Sequence, residues 1–185
     1  MYLLDTNIVS ELRKPRPSGA VVAWLEGIAE ADLHISAVTL GEIQAGIEIT
    51  RGQNAAKAAE IEAWADQLAA AYNLLPMDAT TFRLWAKLMH RQSNTVYEGA
   101  MIAASALVHK LTVVTRNVRD FERFHVPLFN PSAQRLQPHI RLPHPVVVQQ
   151  RQWIEDCVRD ADAVDGHAEG FDEIARDECR AQIRI

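Results

Sequence analysis

The sequence predicts an α/β domain built on a parallel sheet. Short apolar runs of strand character alternate with longer stretches of helical spacing, and no hairpin-type turn joins two of the runs. The third observation is the run Leu-Thr-Val-Val-Thr at residues 111–115, apolar and β-branched as a strand covered on both faces must be.

Residues 1–4 are apolar and end at Asp5, the pattern of a buried strand opening into a loop. Helical spacing follows over 7–13, up to the break at Pro15 and Pro17. Ser18 is placed to cap a helix over 19–28, whose apolar positions are Val21, Val22, Trp24, Leu25 and Ile28. Residues 33–36 form a second strand. A helix over 38–50 carries Leu40, Ile43 and Ile47 on one face and stops at Gly52. An Ala-rich helix over 55–72 has Ile61, Trp64, Leu68 and Ala71 as its stripe. The third strand spans 74–77 and ends at Asp78, with helices over 79–90 and 98–109 after it. Beyond residues 111–115 come one helical turn at 120–124 and a last strand at 126–129. Crossovers between parallel strands are right-handed, and such sheets bind ligands beyond the carboxyl ends of their strands.

The pattern changes at Asn130. The next stretch holds four prolines and no clear period, which reads as an extended linker. Helical spacing returns over 149–164, with Trp153, Ile154, Cys157 and Val158 among its apolar positions. The expected division is a domain over 1–131 and an extension over 132–185 that is helical or orders on a partner.

The chain has 185 residues, 48% hydrophobic and 23% charged, which suits one ordinary domain with an appendage. Its net charge is -5, and residues 151–185 alone carry 10 acidic against 5 basic side chains. Residues 1–150 therefore balance at 14 of each sign. A neutral body does not announce nucleic-acid binding by bulk charge, so such a function must rest on a local site. The cysteines, Cys157 and Cys179, make neither a disulfide framework nor a four-ligand zinc site, and a reducing cytoplasm is the expected location. No apolar run is long enough to cross a membrane, and the N-terminus lacks a basic region before its apolar residues.

Carboxylates mark the ends of several elements. Asp5 ends the first strand, where it can cap the following helix or serve a ligand. Glu42 lies off the apolar stripe of its helix, between Gly41 and Gly46. Each mid-helix glycine costs about 1 kcal/mol relative to alanine, so the pair suggests close approach of backbone or ligand. Glu98 stands in a first helical turn, where the helix dipole favours a carboxylate. Asn117 and Asp120 follow the 111–115 strand and can supply further oxygens, or belong to an ordinary turn. Carboxylates that converge repel one another, and a hard cation such as Mg²⁺ or Mn²⁺ resolves the repulsion while activating water for phosphodiester cleavage.

Four ordered segments carry a resemblance: LLDTNIVSEL, SAVTLGEIQAGI, AMIAASALVHKLTVVTRNVRDF and VPLFNP. Together they resemble the PIN-domain ribonucleases of the VapC type, toxins of bacterial toxin–antitoxin modules. The similarity covers residues 1 to about 131. It implies a five-stranded parallel sheet flanked by helices, a homodimer, and RNA cleavage dependent on Mg²⁺ or Mn²⁺. It further implies a cognate antitoxin lying across the helices, with DNA contacted only through that antitoxin. The family's first acidic position falls on Asp5, its second on Glu42, and its fourth on Asn117, where members carry Asp or Asn. The third, three residues before Ile102, falls on Gly99. Glu98 is adjacent, but one residue on a helix is a rotation of about 100°. Loss of a ligand of this kind is expected to impair cleavage. The alternative is an inactive module that binds and sequesters an antitoxin. A small-molecule α/β enzyme is disfavoured, since no glycine-rich phosphate loop and no nucleophile elbow is present.

Arg13, Lys14 and Arg16 lie close in sequence to Asp5, and Arg116, Arg119 and Arg123 surround Asn117. Either cluster could meet RNA phosphates or be solvated surface. Ser93, Asn94 and Thr95 form a polar loop that is a substrate contact or a plain connection. Trp153, Ile154 and Val158 could dock between the helices in the manner of an antitoxin, or belong to an extension with little structure.

Overall fold

A computed structural model describes residues 1–133. Five parallel strands form one sheet in the order β3-β2-β1-β4-β5. They are β1 (Tyr2–Leu4), β2 (Leu33–Ser36), β3 (Asn73–Leu75), β4 (Thr112–Val114) and β5 (Leu128–Phe129). The helices are α1 (Thr6–Leu12), α2 (Gly19–Glu26), α3 (Ala37–Arg51), α4 (Ala55–Ala71), α5 (Ala79–Leu88), α6 (Tyr97–His109) and α7 (Val118–Glu122). Every element expected within these residues is present. The expected domain boundary at 131/132 and the extension to 185, with the docking of Trp153, Ile154 and Val158, lie outside the described residues.

β1 sits at the centre, and its alternation divides the core. Leu4, Ile35 and Val114 face a cluster built from α1, α2, α3 and α4, including Ile8, Leu25, Ile47 and Leu68. Leu3 and Val113 face the opposite cluster, with Ile102, Ala103, Phe121 and Phe124. This is why the strands read as unbroken apolar runs: both faces are covered. The Ala-rich α6 follows from the same packing, because small residues bring a helix close to the sheet.

The differences from the sequence reading are local. β3 is shorter than expected and starts a residue earlier, and α5 ends at Leu88 rather than His90. Ser18 precedes α2, but its side chain makes no capping bond; its backbone N–H instead donates to Glu11 Oε1 at 2.9 Å. Of the two readings of Gly41 and Gly46, close approach of backbone is absent among the described residues: a Cβ at either position meets nothing within 4 Å. Both glycines are exposed, so backbone packing does not account for them. No helix among the described residues is long and apolar enough to cross a membrane.

Candidate metal centre

The order of the sheet sets the site. From β1 the chain moves outward to β2 and β3, then returns to the other side of β1 for β4 and β5. The crevice beyond the ends of β1 and β4 is therefore the switch point of the sheet, where α/β folds bind ligands. Asp5 ends β1 there, and Thr115 follows β4.

Asp5 is buried, with 7% of its surface exposed, and both of its oxygens are engaged. Oδ1 accepts the Thr6 N–H at 2.8 Å and so caps α1. Oδ2 accepts from Asn7 Nδ2 at 2.5 Å and from the Thr115 hydroxyl at 2.7 Å. The capping and site readings of Asp5 are thus compatible, one oxygen serving each. Thr115 Oγ1 in turn accepts from Asn7 Nδ2 at 3.0 Å and from the Asn117 N–H at 2.9 Å. Asn7 Oδ1 accepts the Arg116 N–H at 3.2 Å. This network spans 110 residues of sequence and fixes the Asp5 carboxylate against the turn after β4.

Glu42 reaches the same place from α3. The Thr6 hydroxyl donates to Glu42 Oε2 at 2.5 Å, with Thr39 Oγ1 3.3 Å away. Consecutive residues, Asp5 and Thr6, therefore tie β1 to β4 and to α3. Burial pushes the Glu42 carboxyl above its ordinary value; the Thr6 hydrogen bond opposes this, and the charges of Asp5 and Glu98 add to it. Burial likewise raises Asp5, with Thr115 and Thr6 opposing; Asp120 adds to the rise and Arg116 works against it. Two half-desolvated carboxylates that repel each other are a donor set suited to a hard divalent cation. A set of three or more His, Cys, Asp or Glu side chains poised around one point does not occur among the described residues. In kind, the hard carboxylate oxygens are those a divalent cation takes.

The remaining expected residues lie around this pair. Glu98 is exposed in the first turn of α6. A Cβ at Gly99 meets only Phe121 Cζ, at 3.9 Å, so there is room for a side chain. Asn117 Nδ2 donates to the Asp120 carboxylate, which links these two possible oxygen donors to each other.

The basic residues divide by environment. Arg116 Nη1 lies 2.9 Å and Lys14 Nζ 3.0 Å from Glu11 Oε2, so the two clusters that were separate in sequence meet at one buried carboxylate. Burial pushes the Glu11 carboxyl up, but Lys14, the Ser18 N–H and Arg116 together hold it below its ordinary value. Arg13 is half-buried behind α1, and burial lowers its pKa. Arg16, Arg119 and Arg123 are exposed. Sequence reasoning missed Thr6, Asn7, Thr115 and Glu11. The first three stood in the DTN and TRN motifs beside Asp5 and Asn117, and Glu11 stood three residues before Lys14, a helical pairing distance.

An α/β domain with acidic side chains gathered at its switch point is the class that fold and site define. The PIN domain pattern matches residues 2–126, and the chain belongs to the PIN-domain family. It is 33% identical over 139 residues to the toxin FitB of Neisseria gonorrhoeae, covering 71% of this chain and 98% of that protein. It is also 33% identical over 142 residues to the VapC ribonuclease Y4jK of Sinorhizobium fredii, covering 71% of this chain and 97% of that protein. Among solved structures, the FitAcB crystal structure from Neisseria gonorrhoeae aligns with a TM-score of 0.64 at 31% identity, over 72% of this chain and all of that chain. A FitAB assembly bound to an IR36 DNA fragment aligns with a TM-score of 0.63 at 29% identity, over 74% of this chain and 99% of that one.

Proposed function

We propose that this chain is the toxin of a type II toxin–antitoxin pair, a metal-dependent endoribonuclease of the cytoplasm working as a homodimer. The observation that carries the reading is the buried Asp5 and half-buried Glu42 carboxylates, held at the switch point through Thr6, Asn7 and Thr115. The relatives named as a toxin and as a ribonuclease support it. Asp5 and Glu42 would hold Mg²⁺ or Mn²⁺, with Asn117 supplying a further polar ligand or orienting water. When bound, the cation supplies an acidified water and neutralises charge on the phosphate. Thr115 and Asn7 keep the Asp5 carboxylate aimed, and Thr6 does the same for Glu42. Arg13, Lys14, Arg116 and Arg119 are the candidate phosphate contacts. Arg116 and Lys14 are shared with Glu11, which leaves Arg119 as the more available of the set. The antitoxin is the protein partner, and DNA is met only through it, in keeping with relatives solved as FitAcB and as FitAB on DNA.

Gly99 stands at the third acidic position, which weakens the site. A second reading, a module that sequesters an antitoxin without cutting RNA, is favoured by this one residue. Gly99→Asp decides between them. The room at Gly99 and the first turn of α6 both accept the new carboxylate. Restoring a ligand is expected to raise Mn²⁺ affinity and RNA cleavage by about tenfold or more. Titration calorimetry with Mn²⁺ and a cleavage assay on labelled RNA measure the two effects. Unchanged values in both would remove Gly99 from the site.

A further inference from the structure

Between Asp78 and Glu98 the sequence holds Arg83, Lys87, Arg91 and His90 and no acidic residue, in a body (residues 1–150) whose charges balance overall. On α5, Phe82, Arg83, Ala86 and Lys87 are all exposed and form one face at helical spacing. Arg83, Lys87 and Arg91 make no ion pair among the described residues, whereas Lys14, Arg51, Lys57 and Arg116 each pair with a glutamate. Beside these cations runs an aromatic ladder. Phe82 meets Trp85 edge-on at 6.0 Å between centroids, and Trp85 meets Tyr97 at 4.7 Å. Phe82 is 44% and Tyr97 37% exposed, the two exposed aromatic rings among the large apolar side chains that reach solvent in the described residues. Tyr97 opens α6, and the next residue is Glu98, whose charge is felt by Glu42.

We propose that the exposed face of α5 and Tyr97 form the path along which single-stranded RNA approaches the carboxylates. Bases stack on Phe82 and Tyr97, and Arg83, Lys87 and Arg91 meet the phosphates. The inference rests on the ribonuclease reading and names where its substrate lies. Stacking platforms interleaved with cations are how proteins hold single strands without reading sequence, since every base has a flat face. An apolar partner would leave three cations unneutralised, whereas a polyanion satisfies the rings and the charges together. The ladder also ends beside the site, which a surface patch of unrelated purpose need not do.

The test is fluorescence anisotropy of the full chain with a short fluorescein-labelled oligouridylate in EDTA, so that binding is read without cleavage. Phe82→Leu and Tyr97→Leu keep an apolar side chain but remove the flat ring. Each is expected to weaken binding about tenfold. The double variant Arg83→Gln, Lys87→Gln is expected to reduce the slope of log affinity against log salt by about 1.4. Size-exclusion chromatography of Phe82→Leu is run alongside. Unchanged affinity in the ring variants, or a change of oligomeric state with affinity unchanged, overturns the path. RNA cleavage by wild type and Asp5→Asn in Mn²⁺ is measured separately. If wild type binds with the expected dependence but cuts nothing, the path stands and the nuclease reading fails. If wild type cuts and the α5 variants bind as well as wild type, the nuclease reading stands and the path fails.

Discussion

Glu42 shows how a candidate site residue can oppose the stability of its own fold. Its ionised form is disfavoured by burial and by the charges of Asp5 and Glu98. The folded pKa is raised above the unfolded value, so the ionised carboxylate subtracts stability above the raised pKa and ceases to do so as pH falls through it. Glu42→Gln keeps an acceptor for the Thr6 hydroxyl and removes the repulsion. In EDTA at about pH 7.5 it is expected to raise Tm by roughly 1–3 °C, with the gain vanishing near pH 4. The same variant should abolish any rise in Tm that Mg²⁺ or Mn²⁺ gives the wild type. Scanning calorimetry at the two pH values, with and without cation, checks both. A lower Tm at neutral pH would mean that Glu42 is a structural partner of Thr6 and nothing more. Asp5 and Glu42 could be singled out in the sequence, because one ends a strand and the other lies off an apolar stripe, and the structure brings both to Thr6. Their supporting partners could not be, because Thr6, Asn7 and Thr115 become informative only when strands 110 residues apart lie side by side.

At the scale of elements, α1 works as a bracket. Its first turn is capped by Asp5, and its last turn carries Glu11, whose side chain is 5% exposed and binds Lys14, Arg116 and the Ser18 N–H. One short helix therefore fixes the start of α2 at one end and the turn after β4 at the other. Glu11→Gln removes the charge that both cations share. It is expected to cost roughly 1–3 kcal/mol at neutral pH, the range for breaking charged hydrogen bonds in a buried place. The Glu11 pKa is depressed, so its stabilisation is present above the ordinary carboxylate range and is lost as pH falls through the folded value. Urea denaturation should show the difference from wild type at pH 7 and a shrinking difference as pH falls through the titration of the folded carboxyl. A difference constant through that fall would place the effect in packing instead of charge. Element types and order were legible from periodicity. Ends were less so: β3 starts a residue early, and α5 stops two residues short of His90, because ends depend on local capping more than on the apolar stripe.

For the whole molecule, the described residues contain a five-stranded sheet with a core cluster on each of its faces. A chain ending at Ala133 should therefore unfold in a single cooperative transition, with a Tm within about 3 °C of the full chain. A larger drop by calorimetry would show that residues beyond 133 brace the domain. The fold class was readable because a parallel sheet demands alternation of strand and helix and continuous apolar runs. The strand order was not readable, since nothing local states that β4 returns to the free side of β1.

That return has a consequence for when the protein can act. β1 is made first, yet its partner β4 and the threonine that aims Asp5 are made more than a hundred residues later. A ribosome-bound chain that has released only α1 through α5 carries both carboxylates but has no second wall to hold them. Any chemistry that needs both walls therefore waits until β4 has left the ribosome, however early the two carboxylates themselves were made.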